Sequence, residues 1–168
     1  KTMFNKLMIV AHPDDEIIFG GAQLIKGKGW KVICVTNGKH KVRAREFKKA
    51  MKDVGAEYEM WSYKDKWEGD FNRKALKKDI AQVLQANPQI TMIVTHNKKG
   101  EYGHTQHRAL HQVVRELAQE KMYIFKRSKY KLPEDLIKQK YKILKRYRSQ
   151  DIEWLKKYTD YESIRKLS

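Results

Sequence analysis

Two short segments of the sequence concentrate side chains that bind metal ions and transfer protons. Residues 12–16 read His-Pro-Asp-Asp-Glu, and residues 104–107 contain two histidines, His104 and His107, three positions apart. Two imidazoles and one carboxylate, with a fourth position left for water, are a common ligand set of catalytic zinc. The ion lowers the pKa of its bound water and polarises a carbonyl group, and a carboxylate outside the ligand set can accept the water's proton. The residue types therefore predict a hydrolytic metal site.

Each part of this pattern also has a simpler explanation. Asp14, Asp15 and Glu16 precede a predicted helix, where carboxylates cap the first turn and match the helix dipole. His104 and His107, taken singly, are more typical of surface or packing positions. Spacing alone also leaves open which of the two neighbouring aspartates would bind the metal. Structural roles are assigned to the three histidines that lack such neighbours, His40, His96 and His111.

The predicted topology favours the functional interpretation because it brings the two segments together. Apolar runs rich in β-branched residues predict five strands, at residues 6–11, 31–36, 58–61, 90–95 and 122–125. Amphipathic segments predict helices at residues 16–26, 42–54, 71–85 and 105–117, with further helical structure from residue 133, broken near 149–150. This alternation predicts a doubly wound, mostly parallel five-stranded α/β sheet (Rossmann-like), of strand order 3-2-1-4-5 with C-terminal helices. In this order the first and fourth strands are neighbours, and the loops that follow them hold the two segments.

The two segments also carry a resemblance to a known family. The sequence AHPDDE at residues 11–16, combined with GHTQH at residues 103–107, resembles the PIG-L/LmbE-like superfamily of zinc-dependent de-N-acetylases. Weaker similarities lie at residues 35–38, in the helix that carries Arg43, Glu46 and Gly55, and at residues 142–150. The resemblance implies a single deacetylase domain over residues 1–168. It also implies an enzyme that removes the acetyl group from an N-acetylglucosamine-type sugar or glycoconjugate.

The resemblance further implies a role for each matching residue. The metal ligands would be His12, Asp15 and His107, with Zn²⁺ as the cofactor. Asp14 would act as the general base and then as the acid that protonates the leaving amine. His104, with Tyr102, would stabilise the oxyanion of the tetrahedral intermediate, a contribution worth about 3–4 kcal/mol for such a donor. Arg43 would hold the substrate.

Three positions depart from the pattern of the family that the sequence resembles. Gln106 stands where an acidic residue is frequent, Lys39 also replaces an acidic residue, and Tyr147 replaces a histidine. All three lie at positions that face the substrate or support the ligands, rather than at the ligands themselves. Hydrolysis is therefore still predicted, and the identity of the substrate is left open.

Composition limits the classes of partner. The 168 residues include 37 Lys and Arg against 20 Asp and Glu, a formal net charge of +17. The lysines are spread over the predicted helices, a pattern typical of a solvated surface, which disfavours nucleic acid as the partner. The positive charge favours a small-molecule or glycoconjugate substrate that bears phosphate. The single cysteine predicts a reducing, cytoplasmic location. The lack of an apolar run of ~20 residues predicts that this chain has no transmembrane segment. No feature of the sequence indicates the oligomeric state.

The competing interpretation is a non-catalytic basic module that binds nucleic acid or a glycan on the same fold. Its candidate contact residues are the four tryptophans, Trp30, Trp61, Trp67 and Trp154. These residues are not interleaved with basic residues along one predicted strand, as a stacking platform for single strands requires. The sequence therefore favours the enzyme.

Overall fold

The apolar runs of the sequence form the strands of one sheet in a computed structural model, which describes residues 4–167. The strands are β1 (Lys6–Val10), β2 (Trp30–Thr36), β3 (Glu57–Tyr63), β4 (Met92–Thr95), β5 (Met122–Phe125) and β6 (Ile164–Lys166). Their order in the sheet is β3-β2-β1-β4-β5-β6, and the first five strands of the chain are parallel to one another. The predicted doubly wound α/β class and the order 3-2-1-4-5 are therefore confirmed.

The sixth strand was not predicted. β6 pairs antiparallel with β5 at the edge of the sheet, with Phe125 opposite Ile164. It has three residues, of which Arg165 and Lys166 are exposed, so it lacks the apolar run that identifies a buried strand. Charged side chains on a short edge strand also discourage pairing with other chains.

The helices follow the predicted ranges closely in the first two-thirds of the chain. They are α1 (Asp15–Lys26), α2 (Lys41–Val54), α3 (Arg73–Ala86), α4 (Gly100–Gly103), α5 (Thr105–Ala118), α6 (Glu134–Leu144) and α7 (Lys156–Thr159). The single turn of α4 was not predicted. The predicted C-terminal helical region is shorter than expected, because α6 ends at Leu144 and an irregular segment leads to α7.

The helices cover both faces of the sheet. Side chains that alternate along β1 point to opposite faces, as in any strand. Leu7 and Ile9 pack with the apolar faces of α3 and α5. Met8 and Val10 pack with α1, α2 and α6 on the other face. Burial on both faces explains why the central strands read as continuous apolar runs.

Two glycines satisfy local backbone requirements. Gly55 has φ 70° and ends α2 in the left-handed conformation that glycine adopts without steric cost, which confirms the predicted end of this helix. Gly38 follows β2, and its N–H donates to the Trp61 carbonyl at 2.9 Å. A Cβ at Gly38 would lie only 2.8 Å from that carbonyl oxygen. The close approach joins the end of β2 to β3.

The topology brings the chemically important loops together. β1 lies beside β4 in parallel, with Lys6 opposite Met92 and Met8 opposite Val94. Because the carboxyl ends of parallel strands meet at one edge of the sheet, the β1–α1 loop faces the loop that follows β4. None of the helices within residues 4–167 combines the length and apolar character that a membrane span requires.

Candidate active site

The three predicted metal ligands converge at this edge of the sheet. His12 comes from the β1–α1 loop, Asp15 is the first residue of α1, and His107 comes from the first turn of α5. His12 Nδ1 lies 3.2 Å from His107 Nε2, and Asp15 Oδ2 lies 3.3 Å and 3.1 Å from these two nitrogens. All three side chains are buried, and their potential ligand atoms lie within 4.8 Å of one another. Two imidazoles and a carboxylate at this spacing fit a divalent cation such as Zn²⁺.

The other ring nitrogen of each histidine is occupied by a hydrogen-bond acceptor. His107 Nδ1 lies 2.8 Å from Glu101 Oε1, and His12 Nε2 lies 2.8 Å from Gln106 Oε1. An acceptor at one ring nitrogen fixes the proton there and leaves the lone pair of the other nitrogen for a metal. Both lone pairs then face the carboxylate of Asp15.

Glu101 supports the ligands from behind and was not identified from the sequence. Its Oε1 also lies 2.8 Å from His96 Nδ1, and its Oε2 accepts the Asn97 N–H at 2.7 Å. Although burial alone would raise the pKa of Glu101, the neighbouring His96 and His107 lower it to about 2. Its backbone has φ 60° and ψ −75°, an unusual conformation for a residue with a side chain. The surrounding contacts hold this strain, as is common next to functional sites.

His96 was assigned a structural role from the sequence, and it lies directly behind the ligands. With Glu101 and His107 it forms a second group that has metal-ligand spacing. However, His96 Nε2 accepts the Ala11 N–H at 3.1 Å, and Nδ1 is bonded to Glu101. Both ring nitrogens are therefore used within the protein, and His96 supports the site through hydrogen bonds.

The structure separates the two neighbouring aspartates, which the spacing could not do. Burial, followed by the charges of Asp15 and Glu16, raises the pKa of Asp14 well above its usual range. Burial acts in the same direction on Asp15, but the charge and hydrogen bond of His107, with those of His12, lower the pKa of that carboxyl. Asp15 is thus the carboxylate held between the two imidazoles. Asp14 lies outside this group of ligand atoms.

Asp14 occupies an uncommon backbone conformation that does not serve helix capping. It has φ 105° at the start of α1, and its side chain makes no capping hydrogen bond. The simpler interpretation, in which this carboxylate caps the helix, is wrong for Asp14. Its N–H instead donates to Glu16 Oε1 at 3.1 Å. Glu16 is fully buried, and burial raises its pKa to about 8.

Tyr147, one of the three departures from the family pattern, is hydrogen-bonded to Glu16. Its hydroxyl donates a short hydrogen bond to Glu16 Oε2. A phenol can donate to a carboxylate as an imidazole can, so the substitution keeps a donor at this position. Another contact joins two of the weaker family similarities. Glu46 accepts hydrogen bonds from the N–H and hydroxyl of Ser149 at 2.9 Å and 2.5 Å.

His104 is the N-cap of α5 and its tautomer follows from that position. Its Nδ1 accepts the Gln106 N–H at 3.1 Å, so the ring proton resides on Nε2. Burial, then the charges of His12 and His107, lower the pKa of His104 to about 4. At neutral pH the ring is therefore uncharged and still offers one N–H.

These side chains surround a cavity of about 240 Å³. Six of the seven residues predicted for the site line it, and His107 lies buried beneath. Burial, followed by the charges of Asp15 and Asp14, raises the pKa of Tyr102, so its hydroxyl remains a donor.

Two exposed tryptophans, Trp67 and Trp154, lie at the mouth of the cavity. The Trp67 ring lies 5.6 Å from that of His104, and the Trp154 ring lies 4.8 Å from that of Tyr102.

Arg43 lies in the cavity wall, where protein acceptors hold its guanidinium. Its Nη1 donates to Asp65 Oδ2 at 2.7 Å, and its Nη2 donates to the Pro13 carbonyl at 3.0 Å. Its buried Nε has no hydrogen-bond partner among residues 4–167. Asp65, like Glu101, was missed by sequence reasoning, because it follows a strand that was predicted to end at residue 61.

A basic groove lies beside α2, on the side away from Arg43. The groove, of about 440 Å³, is lined by Lys39, Lys41, Arg45, Lys48, Lys49 and Lys52. Lys39, the second departure from the family pattern, lines this groove and not the cavity of the candidate site, so the expectation that it faces the substrate or supports the ligands is wrong. Helical spacing places Lys41, Arg45 and Lys48 on the side of α2 away from Arg43.

Two comparisons with solved structures support the fold. N,N'-diacetylchitobiose deacetylase from Pyrococcus horikoshii aligns with a TM-score of 0.69 and 18% identity, over 90% of this chain and 72% of that protein. GalB, the 4-carboxy-2-hydroxymuconate hydratase from Pseudomonas putida KT2440, aligns with a TM-score of 0.67 and 19% identity, over 94% and 83% of the two chains. One fold therefore carries two reactions, and the reaction has to be argued from the site.

Sequence comparison is more specific. An uncharacterized protein of Acanthamoeba polyphaga mimivirus is 38% identical in an alignment of 138 residues that covers 72% of this chain. The chain spans about three-fifths of that relative, since the match covers 61% of it. The family model described as PIG-L, GlcNAc-PI de-N-acetylase, matches residues 7–118, and this range contains every residue predicted for the site. The chain therefore belongs to the PIG-L (GlcNAc-PI de-N-acetylase) family.

Proposed function

We propose that the chain is a zinc-dependent N-deacetylase that hydrolyses the acetamido group of an N-acetylglucosamine-type sugar or glycoconjugate. The observation that carries the proposal is that the two neighbouring aspartates lie in different surroundings. Asp15 lies between the imidazoles of His12 and His107, while Asp14 lines the same cavity outside the ligand group. Membership of the PIG-L family and the similarity to a chitobiose deacetylase support the same reaction.

A zinc ion held by His12, Asp15 and His107 would supply Lewis acidity to the carbonyl group and lower the pKa of water. Asp14 takes a proton from the attacking water as the oxygen–carbon bond forms. It then gives that proton to the amine nitrogen as the carbon–nitrogen bond breaks. The products are acetate and the free amino sugar. Burial suits Asp14 to both steps, because a raised pKa brings a carboxyl closer to the pH at which it must accept and donate.

His104 and Tyr102 would stabilise the negative charge that develops on the carbonyl oxygen. His104 offers its Nε2–H, because its Nδ1 is occupied by the cap bond to Gln106. The neutral ring suits this role, since a ring with a low pKa donates a hydrogen bond without losing its proton. Loss of one such donor typically reduces kcat by about 10²- to 10³-fold.

The dimensions and lining of the site support this substrate class. The cavity of about 240 Å³ is large enough for one acetylated sugar unit. Trp67 and Trp154 offer flat apolar surfaces to a sugar ring at its mouth. The net charge of +17 favours forms of the substrate that bear phosphate.

The direct test is acetate release from a panel of N-acetylated sugars. The panel should contain N-acetylglucosamine, its 1-phosphate and a short chitooligosaccharide, with the corresponding N-acetylgalactosamine compounds for comparison. We expect stoichiometric acetate and free amine from at least one glucosamine compound. No acetate from any sugar of the panel, together with addition of water to the double bond of 4-carboxy-2-hydroxymuconate in a separate assay, would instead indicate a hydratase, the activity named for GalB.

The non-catalytic module makes a different prediction. If the basic groove beside α2 were the functional site, the chain would bind nucleic acid or an acidic glycan with a steep salt dependence and release no acetate. Charge reversal at Lys48 and Lys49, which line the groove, would abolish that binding. The same variant would keep full deacetylase activity on an uncharged sugar if the proposed function is correct.

A further inference from the structure

Gln106, the third departure, holds a loop segment against the candidate metal site. Its Nε2 donates to the Lys64 carbonyl at 2.7 Å, and its Oε1 accepts the Lys66 N–H at 3.1 Å. The same oxygen lies 2.8 Å from His12 Nε2. One fully buried amide therefore connects the segment 64–66, which follows β3, to a candidate metal ligand.

The two backbone contacts fix the orientation of the amide. A carbonyl group can only accept and an N–H can only donate, so the Gln106 nitrogen faces Lys64 and the oxygen faces Lys66. The oxygen that reaches His12 can accept only, so Nε2 carries the imidazole proton. The lone pair on His12 Nδ1 is then left for the metal.

The clamped segment brings a carboxylate to the same imidazole. Asp65 Oδ1 lies 3.4 Å from His12 Nε2. Asp65 Oδ2 accepts from Arg43 Nη1 at 2.7 Å and from Asn37 Nδ2 at 3.0 Å. Arg43 also binds the carbonyl of Pro13, next to His12, at 3.0 Å. The carboxylate is thus held from two sides beside a candidate ligand.

A carboxylate at position 106 could not make the same set of contacts. It could accept from His12 and from the Lys66 N–H, but it has no N–H to donate to the Lys64 carbonyl. Gln106 is therefore matched to the segment that it clamps, and the negative charge lies on Asp65 instead. The distances place both groups at the one nitrogen of His12 that does not face the ligand group.

We propose that Asp65 and Gln106 act together as the positioning partners of His12 in the metal site. Gln106 accepts the imidazole hydrogen bond and clamps the segment, and Asp65 supplies the negative charge that strengthens the imidazole as a ligand. The proposal rests on the proposed function, because it assumes that His12 binds a metal. Partners of metal-bound histidines typically contribute about 10- to 100-fold to metal affinity.

The test is the affinity of the purified, metal-free chain for Zn²⁺ and Co²⁺, measured by competition with a chromophoric chelator. Asp65→Asn removes the charge and keeps the shape of the side chain. We expect it to weaken binding by about 10- to 100-fold. Glu68→Gln is the matched control, since Glu68 is an exposed carboxylate in the same loop, and it should bind like the wild type. Asp65→Glu should restore part of the lost affinity.

Three further measurements separate positioning from general stabilisation. Metal-free Asp65→Asn should melt only slightly below the wild type, because it loses the ion pair with Arg43, and it should still be folded at the temperature at which its metal affinity is measured. The Co²⁺ absorption spectrum should change in Asp65→Asn and not in Glu68→Gln. Gln106→Ala should weaken binding, and adding Asp65→Asn to it should have little further effect, because the clamp that presents Asp65 is already lost.

The outcomes distinguish this inference from the proposed function. A wild-type chain that binds neither metal overturns both. A wild-type chain that binds metal and releases acetate, with Asp65→Asn within about twofold of Glu68→Gln in affinity, overturns only the role of Asp65. Fully additive losses in the double variant would show that Gln106 does not act by presenting Asp65.

Discussion

Replacing Asp14 by asparagine should separate catalysis from metal binding. The substitution keeps the size of the side chain and removes its ability to accept a proton. Asp14 lies outside the group formed by His12, Asp15 and His107, so the metal affinity should stay close to that of the wild type. The rate of amide hydrolysis should fall, because Asp14 lines the cavity, whereas Glu16, the other carboxylate at the start of α1 outside the ligand group, is bonded to Tyr147 and does not line it.

The expected loss follows from the role of the side chain. A positioned general acid or base contributes about 10²- to 10⁴-fold, which corresponds to about 3–5 kcal/mol in the activation barrier. The upper half of this range applies here, since Asp14 is proposed to act in both proton transfers. Folding should not suffer. Burial and the charges of Asp15 and Glu16 already disfavour the ionised form, so a neutral amide relieves that cost.

The assay is steady-state acetate release, accompanied by metal content and melting temperature. Asp151→Asn is the matched control, because Asp151 lines the same cavity but lies on the segment before α7. Asp14→Asn should lower kcat by at least 10²-fold at equal metal content, and Asp151→Asn should lie within a few-fold of the wild type. A kcat for Asp14→Asn within threefold of the wild type would refute the proposed proton transfer. Loss of the metal would instead place Asp14 among the ligands.

Three other predictions test the surroundings of the site. Glu101→Gln should weaken Zn²⁺ binding by about 10- to 100-fold, because Glu101 holds His107, and unchanged affinity in the chelator competition would contradict this role. Trp67→Ala should raise KM by about tenfold, equivalent to ~1.4 kcal/mol of lost stacking on the sugar, with little change in kcat. The control Tyr130→Ala removes an exposed ring outside the cavity and should leave KM and kcat unchanged. Finally, the metal-free chain should lose unfolding free energy between pH 7 and 8. The folded-state pKa values of Glu16, about 8, and His107, about 10, both exceed their unfolded values, so the unfolded chain binds fewer protons in this window. Urea titrations should show a smaller pH slope for Glu16→Gln, and a flat or rising wild-type profile would contradict the assignment.

The topology was predictable because its signals are local and strong. The strand runs are apolar and β-branched, and the amphipathic helices between them place the first and fourth strands side by side. The His-Pro-Asp-Asp and Gly-His-x-x-His segments then had to meet at one edge. The structure agrees, with His12 Nδ1 and His107 Nε2 only 3.2 Å apart although 95 positions separate them in the chain.

The supporting residues could not be predicted in the same way. Asp65 reaches His12 because β3 extends to Tyr63, two residues beyond its predicted end, and because Gln106 clamps the segment that follows. Glu101 contacts His107 from a strained backbone conformation. The glycines at positions 100 and 103 are only a weak sequence signal of that conformation. Such roles depend on tertiary contacts, and a single sequence does not encode them as a period or a motif.

The roles of the two aspartates show the same limit. Neighbouring carboxylates at the start of a helix look equivalent in the sequence, and only the resemblance distinguished them. In the structure, the imidazoles of His12 and His107 lower the pKa of Asp15, whereas burial raises that of Asp14. Opposite shifts in adjacent titratable groups are a physical basis for assigning different roles to them.

The most direct test of the central claim is a titration of the metal-free chain with Zn²⁺, monitored by acetate release from an N-acetylglucosamine substrate. Acetate release should be absent without metal, rise linearly and reach its plateau at about one equivalent of zinc per chain, as a single three-ligand site requires. His107→Ala should release no acetate at the same metal load. Acetate release that persists without metal, or none at any metal load with every sugar of the panel, would contradict the account.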